Sequence, residues 1–262
     1  MTTKDPDNNT VLYSVADGVA VITMNRPHAA NTIDSDLACA FGDCFEEADN
    51  DPSVRAIVLA AAGEKIFCAG MDLRAFSEVK QGEHLAIDQR FIDFQRVGVR
   101  KPTVAAVNGA AVGGGFELML GCDMAVVAEH ARFGVPEVKV GLVPGGGGTL
   151  LPRRIPPAIA FELALTGELF TAARAMSLGL VNAVVPGPEV LTTAVDLARR
   201  IAANAPLAAM AIKQALRAAA DGTAADGWAK VDEVNPGVAA SEDAKEGARA
   251  FTEKRAPNWK GR

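Results

Sequence analysis

Several residue types are scarce in this chain, and each scarcity narrows the function. Lys plus Arg number 26 against 32 Asp plus Glu, for a net charge of −6. A protein that neutralises a phosphate backbone needs the opposite balance, so nucleic acid is not an expected partner. One tyrosine and two tryptophans leave few platforms for stacking on bases. No run of 18 apolar residues occurs, so no membrane-spanning helix is expected. The polar opening M-T-T-K-D-P-D-N-N-T lacks the apolar core of a secretion signal. Cys39, Cys44, Cys68 and Cys122 show no C-x-x-C spacing, which predicts free thiols in a reducing cytoplasm. His28, His84 and His130 are clustered neither with cysteine nor with one another, so no dedicated metal site is expected.

Familiar catalytic signatures are missing as well. The run Gly145 to Thr149 lacks the lysine of a phosphate-binding P-loop, and no G-x-G-x-x-G follows the first strand. Neither G-x-S-x-G nor H-E-x-x-H occurs. Asp72, Asp123 and Glu129 read as solvated or capping carboxylates rather than metal ligands.

What remains is an ordinary globular composition, 49% hydrophobic and 22% charged over 262 residues, enough for one large domain or a domain with an appendage. Thr10–Tyr13 and Val19–Met24 flank Asp17-Gly18 and read as a hairpin. Apolar spacing predicts a helix over 34–48, capped by Asp34 or Ser35, and then a buried strand over 54–61. Residues 74–98 read as mostly helical, with a break at Gln81-Gly82. Short apolar strands follow at 103–107, 124–128 and 181–185. Helices are expected at 159–166, 171–178, 189–203, 206–220, 226–234 and 243–254. The order is alternating strands and helices to about residue 190, then a helical tail over 191–262, with a β-β-α succession but no sequence repeat.

The chain is organised around residues 101–123, K-P-T-V-A-A-V-N-G-A-A-V-G-G-G-F-E-L-M-L-G-C-D. A buried strand leads into Gly113-Gly114-Gly115, and a helix starts directly after. Glycines accept positive φ and let backbone N–H groups approach a ligand. The first N–H groups of a helix lack internal partners and lie at its positive end, which suits an oxygen acquiring negative charge. Taken alone, the triplet also suits an ordinary β-to-α connection, and Glu117 could simply complement the helix dipole.

Two further motifs decide the matter. I-F-C-A-G-M-D-L (66–73), the stretch 101–118 and F-G-V-P-E-V-K-V-G-L-V-P-G-G-G-G-T (133–149) closely resemble the crotonase superfamily, its enoyl-CoA hydratases in particular. The likeness runs on through L-T-G-E (165–168), A-x-x-x-G-L-V-N (175–182) and the tail A-F-T-E-K-R-A-P-N-W-K (250–260). The tail and G-G-G-F-E-L look most like the carnitinyl-CoA dehydratase branch.

The resemblance implies an α/β fold with a crotonase-like β-β-α spiral core over 1–190 and a helical C-terminal segment over 191–262. It implies a homotrimer or dimer of trimers acting on an acyl-CoA. No cofactor is expected, since coenzyme A is part of the substrate. It places oxyanion donors at the backbone N–H groups of Met71 and Gly114, and the catalytic pair at Glu117 and Glu137. It places CoA contacts at His28, Ala69, Asp72 and Leu73, with Phe251 and Lys254 supplied by a neighbour's C-terminal helix. His28 stands where many relatives carry lysine, and Leu150-Leu151 replaces a common Q-R. The implied activity is reversible hydration of a 2-enoyl-CoA. Carnitinyl-CoA dehydration, Δ3–Δ2 isomerisation and a non-catalytic acyl-CoA-binding subunit are the alternatives. Gly114 is expected to need a positive φ and to tolerate no side chain.

Overall fold

The computed structural model describes residues 10–78 and 86–262. Strands β1 (Val11–Ala16) and β2 (Val19–Met24) form the expected hairpin. Asp17 and Gly18 both take positive φ, 53° and 75°, the turn whose twist matches paired strands. Helix α1 (Ser35–Asn50) starts where Asp34 accepts the Leu37 N–H at 2.9 Å. It lays Leu37, Phe41 and Phe45 on the core at helical spacing.

The β-β-α succession then repeats in space. Strands β3 (Ala56–Ala61) and β4 (Ile66–Cys68) are followed by helices α2 (Leu73–Ser77) and α3 (Gln89–Val97). Next come β5 (Thr103–Val107), β6 (Ala110–Val112) and α4 (Gly114–Gly121). Strands β7 (Met124–Ala128) and β8 (Arg132–Gly134) complete a third round, closed by a 3-10 turn over Pro136–Val140. Each round gives its first strand to one sheet and its second to another. The large sheet runs β1-β2-β3-β5-β7-β10, with β10 at Ala183–Val185. The small sheet runs β4-β6-β8-β9, with β9 at Phe170–Thr171. Beyond the hairpin the large sheet is parallel, and β4, β6 and β8 are parallel to one another. Both faces of the parallel strands are covered, which is why β5 is buried along its whole length.

Helices α5 (Leu151–Arg154), α6 (Pro157–Thr166) and α7 (Ala172–Ser177) lead to β10. Helix α8 (Val190–Ala202) buries Ala194, Ala198 and Ala202 in the main core, so the core extends one helix past the division expected at 190. Helices α9 (Pro206–Asp221), α10 (Ala224–Ala240) and α11 (Glu242–Glu253) lie beyond that core cluster.

The expectations for helices and short strands need refining. Within 74–98 the described residues hold two helices, α2 ending at Ser77 and α3 beginning at Gln89; the expected Gln81-Gly82 break lies outside the described residues. The strands β6, β8 and β9 are two or three residues long, too short for alternation to register in the sequence. Helix α10 runs through Pro236 to Ala240, well past residue 234.

Candidate active site

The strands β4, β6 and β8 are neighbours in the small sheet and share one direction. Their C-terminal ends therefore lie side by side, where parallel sheets present ligand sites. The chain leaving β4 carries Ala69, Gly70 and Met71, the chain leaving β6 carries Gly113 and Gly114, and the chain leaving β8 carries Glu137. Residues 66 apart in sequence are brought together by register alone.

The Met71 N–H is aimed by a single bridge. Gly70 C=O accepts the Ile33 N–H at 2.8 Å, and Ile33 C=O accepts the Asp72 N–H at 2.9 Å. In a parallel ladder those bonds use the residues on either side of the bridged one, so the Met71 N–H points the other way. Gly70 takes φ +89°, and a Cβ there would lie 3.0 Å from Val112 O and 3.2 Å from the Gly114 nitrogen. The two backbones are thus in contact. Gly114 is the first residue of α4, where helix N–H groups have no internal partner.

The positive φ sits at Gly113 (56°) and not at Gly114. A Cβ on Gly114 would meet the flexible end of Ile33, Cδ1, at 3.0 Å. The intolerant member of the triplet is Gly115, whose Cβ would fall 2.1 Å from Cys68 O. Steric exclusion therefore belongs to Gly115, and Gly114 has modest room.

Glu117 lies in the first turn of α4 and is 3% exposed. Its Oε1 accepts the N–H groups of Gly146 at 2.7 Å and Gly148 at 3.0 Å. Burial raises its pKa, and the Gly148 and Gly146 donors and the Arg96 charge oppose that rise. Glu137 sits on the 3-10 turn after β8. Its Oε2 is buried and has no hydrogen-bond partner among the described residues. Burial raises its pKa too, and the Glu117 charge adds to the rise. Glu137 Oε1 lies 3.1 Å from where a Cβ on Gly113 would be, so this carboxyl faces the glycine triplet. The arrangement sets the Met71 and Gly114 N–H groups beside one carboxylate whose Oε1 has two backbone donors and one carboxyl whose Oε2 has no partner among the described residues.

Ala69, Met71 and Leu73 are exposed on the rim. His28 is exposed on a 3-10 turn, Pro27–Ala29, and is tied to them because Ala30 C=O accepts the Ala69 N–H at 3.1 Å. The Asp72 carboxylate is engaged inside the protein. It accepts the Arg74 and Ala75 N–H groups and the Thr32 hydroxyl, with Arg26 at 4.0 Å. The Ala75 N–H in particular holds its carboxyl below the ordinary range. That leaves its backbone, not its charge, for a ligand. Phe251 is 88% exposed on α11, and Lys254 takes φ 52° just after it. Among the described residues neither bonds to the other candidate site residues.

Sequence reasoning missed Asn31, Gln95 and Arg96. Asn31 is fully buried at φ 50°, donates to Ala62 O at 3.0 Å and Ile66 O at 3.2 Å, and accepts the Arg26 N–H. Asparagine tolerates that conformation, which is the one signal that could have marked it. Among the described residues no cluster of His, Cys, Asp and Glu could hold a metal ion.

The family model described as enoyl-CoA hydratase/isomerase matches residues 14–262. A carnitinyl-CoA dehydratase of Proteus mirabilis is 42% identical over 253 residues, covering 93% of this chain and 95% of the relative. The crystal structure of a probable enoyl-CoA hydratase/isomerase from Mycobacterium abscessus superposes with a TM-score of 0.89 at 44% identity, covering 97% and 99% of the two chains. That of a carnitinyl-CoA hydratase from Mycobacterium avium gives 0.75 at 42% identity, covering 97% and 99%. With strands alternating between two largely parallel sheets, converging glycine loops and matches along almost its whole length, the chain belongs to the enoyl-CoA hydratase/isomerase family, enzymes of the crotonase superfamily.

Proposed function

We propose that the protein catalyses the reversible addition of water to a 2-enoyl-CoA thioester. The observation that carries this is the unequal pair of glutamates beside the backbone N–H groups of Met71 and Gly114. Addition of water at C3 drives charge onto the thioester oxygen, where the N–H groups of Met71 and Gly114 hold it. One such donor is worth about 3–4 kcal/mol of barrier. Glu117, with two N–H groups on one oxygen, suits the ionised base that removes a proton from the water. Glu137, whose buried Oε2 has no partner among the described residues and which lies beside a second acid, suits the acid that delivers a proton to C2. The products are a 3-hydroxyacyl-CoA, a protonated Glu117 and an ionised Glu137, and one proton passed back restores both. Run in reverse, the same groups eliminate water from a 3-hydroxyacyl-CoA.

The relatives named carnitinyl-CoA dehydratase, at 42% identity, favour a second reading in that reverse direction, with carnitinyl-CoA as the substrate. Isomerisation of a 3-enoyl-CoA needs only one of the two acids, which makes it the weaker reading. CoA contacts are assigned to Ala69 and Leu73 on the exposed rim, to the backbone of Asp72 and to His28. Phe251 and Lys254 come from a neighbouring copy in a trimer or dimer of trimers, assembled through the helices after α8. The test is a panel of 2-enoyl-CoA esters of rising chain length with crotonobetainyl-CoA, followed by loss of the enoyl absorbance. Turnover of at least one ester supports the reading. Binding of every ester without absorbance change overturns it in favour of a non-catalytic subunit.

A further inference from the structure

Helix α3 belongs to none of the motifs that mark this family, yet it touches both halves of the site. It is seated firmly: Phe91 and Phe94 are 1% and 2% exposed, with ring centroids 4.9 Å (Phe41–Phe91) and 4.3 Å (Phe45–Phe94) from the aromatic rings of α1. It also approaches α4 closely, because a Cβ on Gly121 would lie 2.6 Å from Phe94 O. At its last turn, two consecutive side chains leave this anchored base in different directions. Gln95, 5% exposed, donates its amide to Gly114 O at 2.9 Å. Arg96 donates both Nε, at 3.1 Å, and Nη2, at 2.9 Å, to Gly145 O. The fit to the glycine run is tight. A Cβ on Gly146 would lie 2.8 Å from Gln95 Cβ, and one on Gly147 would lie 3.0 Å from Gln95 O.

We infer that Gln95 and Arg96 are positioning residues, a clamp by which α3 holds the helix start that presents the Gly114 N–H in fixed relation to the glycine run that grips Glu117. The inference rests on the hydration reading above for its kinetic consequences, though not for its structural ones. Gly145 is held by Arg96, and two of the three glycines that follow it in the run, Gly146 and Gly148, donate to Glu117. Freeing Gly145 loosens those donors. Side chains cannot do this job from within the run, since the glycines have none and their flexibility must be restrained from outside. A misplacement of about 1 Å at a reacting group costs on the order of a hundredfold in rate. A clamp that limits such drift acts on kcat and leaves ground-state binding of the thioester alone. The charged groups facing Glu117 are Arg96 from α3 and Glu137 from the turn after β8.

The test compares wild type with Arg96→Ala, Arg96→Lys and Gln95→Met, each checked for an unchanged melting transition. Backbone amide exchange in the peptide spanning 143–151 is measured in the free protein. Expected is at least tenfold faster exchange in Arg96→Ala, with much of the protection restored in Arg96→Lys, whose single ammonium still reaches one carbonyl. In turnover, Arg96→Ala and Gln95→Met lose about tenfold or more in kcat with KM unchanged. The acid limb of the Arg96→Ala profile moves to higher pH, because an ionised Glu117 has lost its donors and a cation. Unchanged exchange in Arg96→Ala overturns the clamp whether or not the protein hydrates any ester. Equal losses in KM and kcat, or a wild-type rate in both Arg96→Ala and Gln95→Met, also overturn it.

Discussion

Oε1 of Glu117 lies 2.7 Å from the backbone nitrogen of Gly146, so a carboxylate on a helix is positioned by a loop 29 residues further along. Gly148 adds its N–H from the same loop, and a Cβ there would sit 3.0 Å from that oxygen and 2.9 Å from Pro144 Cβ. Gly148→Ala must therefore move either the loop or the carboxylate. Hydration is expected to fall by about ten- to a hundredfold while acyl-CoA affinity holds. Gly237→Ala, on a helix with nothing within 4 Å of the new Cβ, is the control that keeps full activity. Wild-type rates in Gly148→Ala would detach the loop from the chemistry.

The triplet separates fold from function within two residues. Gly115→Ala drives a methyl to 2.1 Å from the Cys68 carbonyl oxygen, backbone against backbone. A loss of about 3 kcal/mol in urea unfolding is expected. Gly114→Pro, at a first helical position where proline is accommodated, deletes one N–H with little else. It should stay folded by circular dichroism and lose about a hundredfold or more in turnover. A folded Gly114→Pro variant at full rate would remove this donor from the mechanism.

The three long-range motifs were legible because each couples a special backbone need to a fixed order: glycine where chains touch, an acid where a helix starts. The large sheet was legible as well, since β3, β5 and β7 are apolar runs bounded by turn residues. The small sheet was not. Its strands are two or three residues long, and their pairing depends on contacts such as Cys68 with Ala111 that no local pattern encodes. Gln95 and Arg96 were hidden for a related reason. Within α3 they look like a polar and a charged helix residue, and their partners are carbonyl groups 19 and 49 residues away. Phe251 was readable only through the resemblance, because an exposed ring and a core ring look alike in sequence.

The raised carboxyls set a pH dependence of stability. Glu117 and Glu137 both have folded-state pKa values above the ordinary 4.5, chiefly through burial. A group of this kind holds its proton more tightly when folded. Its contribution is complete below the unfolded pKa and is lost as pH rises through the folded value. Glu137→Gln removes the liability while keeping the shape. Its melting temperature is expected to exceed that of wild type at pH 7 and to converge with it below pH of about 4. A gap that stays constant with pH, or reverses sign, would show that burial does not raise the Glu137 pKa.

Phe251 bears on assembly. Phe251 is 88% exposed on α11, and in the proposed trimer a neighbouring copy would cover it. Light scattering after size exclusion should return three or six times 27.2 kDa. Phe251→Ser should keep kcat and weaken acyl-CoA binding about tenfold, the scale of one lost base–aromatic contact. A monomer at micromolar concentration, or undiminished affinity in Phe251→Ser, would end its role across an interface.

The glutamate pair distinguishes hydration from its alternatives. Glutamine keeps the size and one acceptor oxygen of glutamate, so Gly146 and Gly148 can still donate to residue 117, but it takes up no proton. On the proposed mechanism Glu117→Gln removes the base that would activate water, and Glu137→Gln removes the acid that would protonate C2. Each should lower hydration by about a hundredfold to ten-thousandfold, the scale of acid–base groups. The double variant should be little worse than the poorer single one, because groups that act on one transition state are not additive. Affinity for a saturated acyl-CoA should survive in all three, since the proposed oxyanion donors are backbone groups that the substitutions leave in place. An isomerase would dispense with one of the two acids when moving the double bond of a 3-enoyl-CoA. A passive binder would have no rate to lose. Hydration at the wild-type rate in either single variant would sink the paired mechanism, and a double variant far below both singles would show that the two carboxyls act on separate steps.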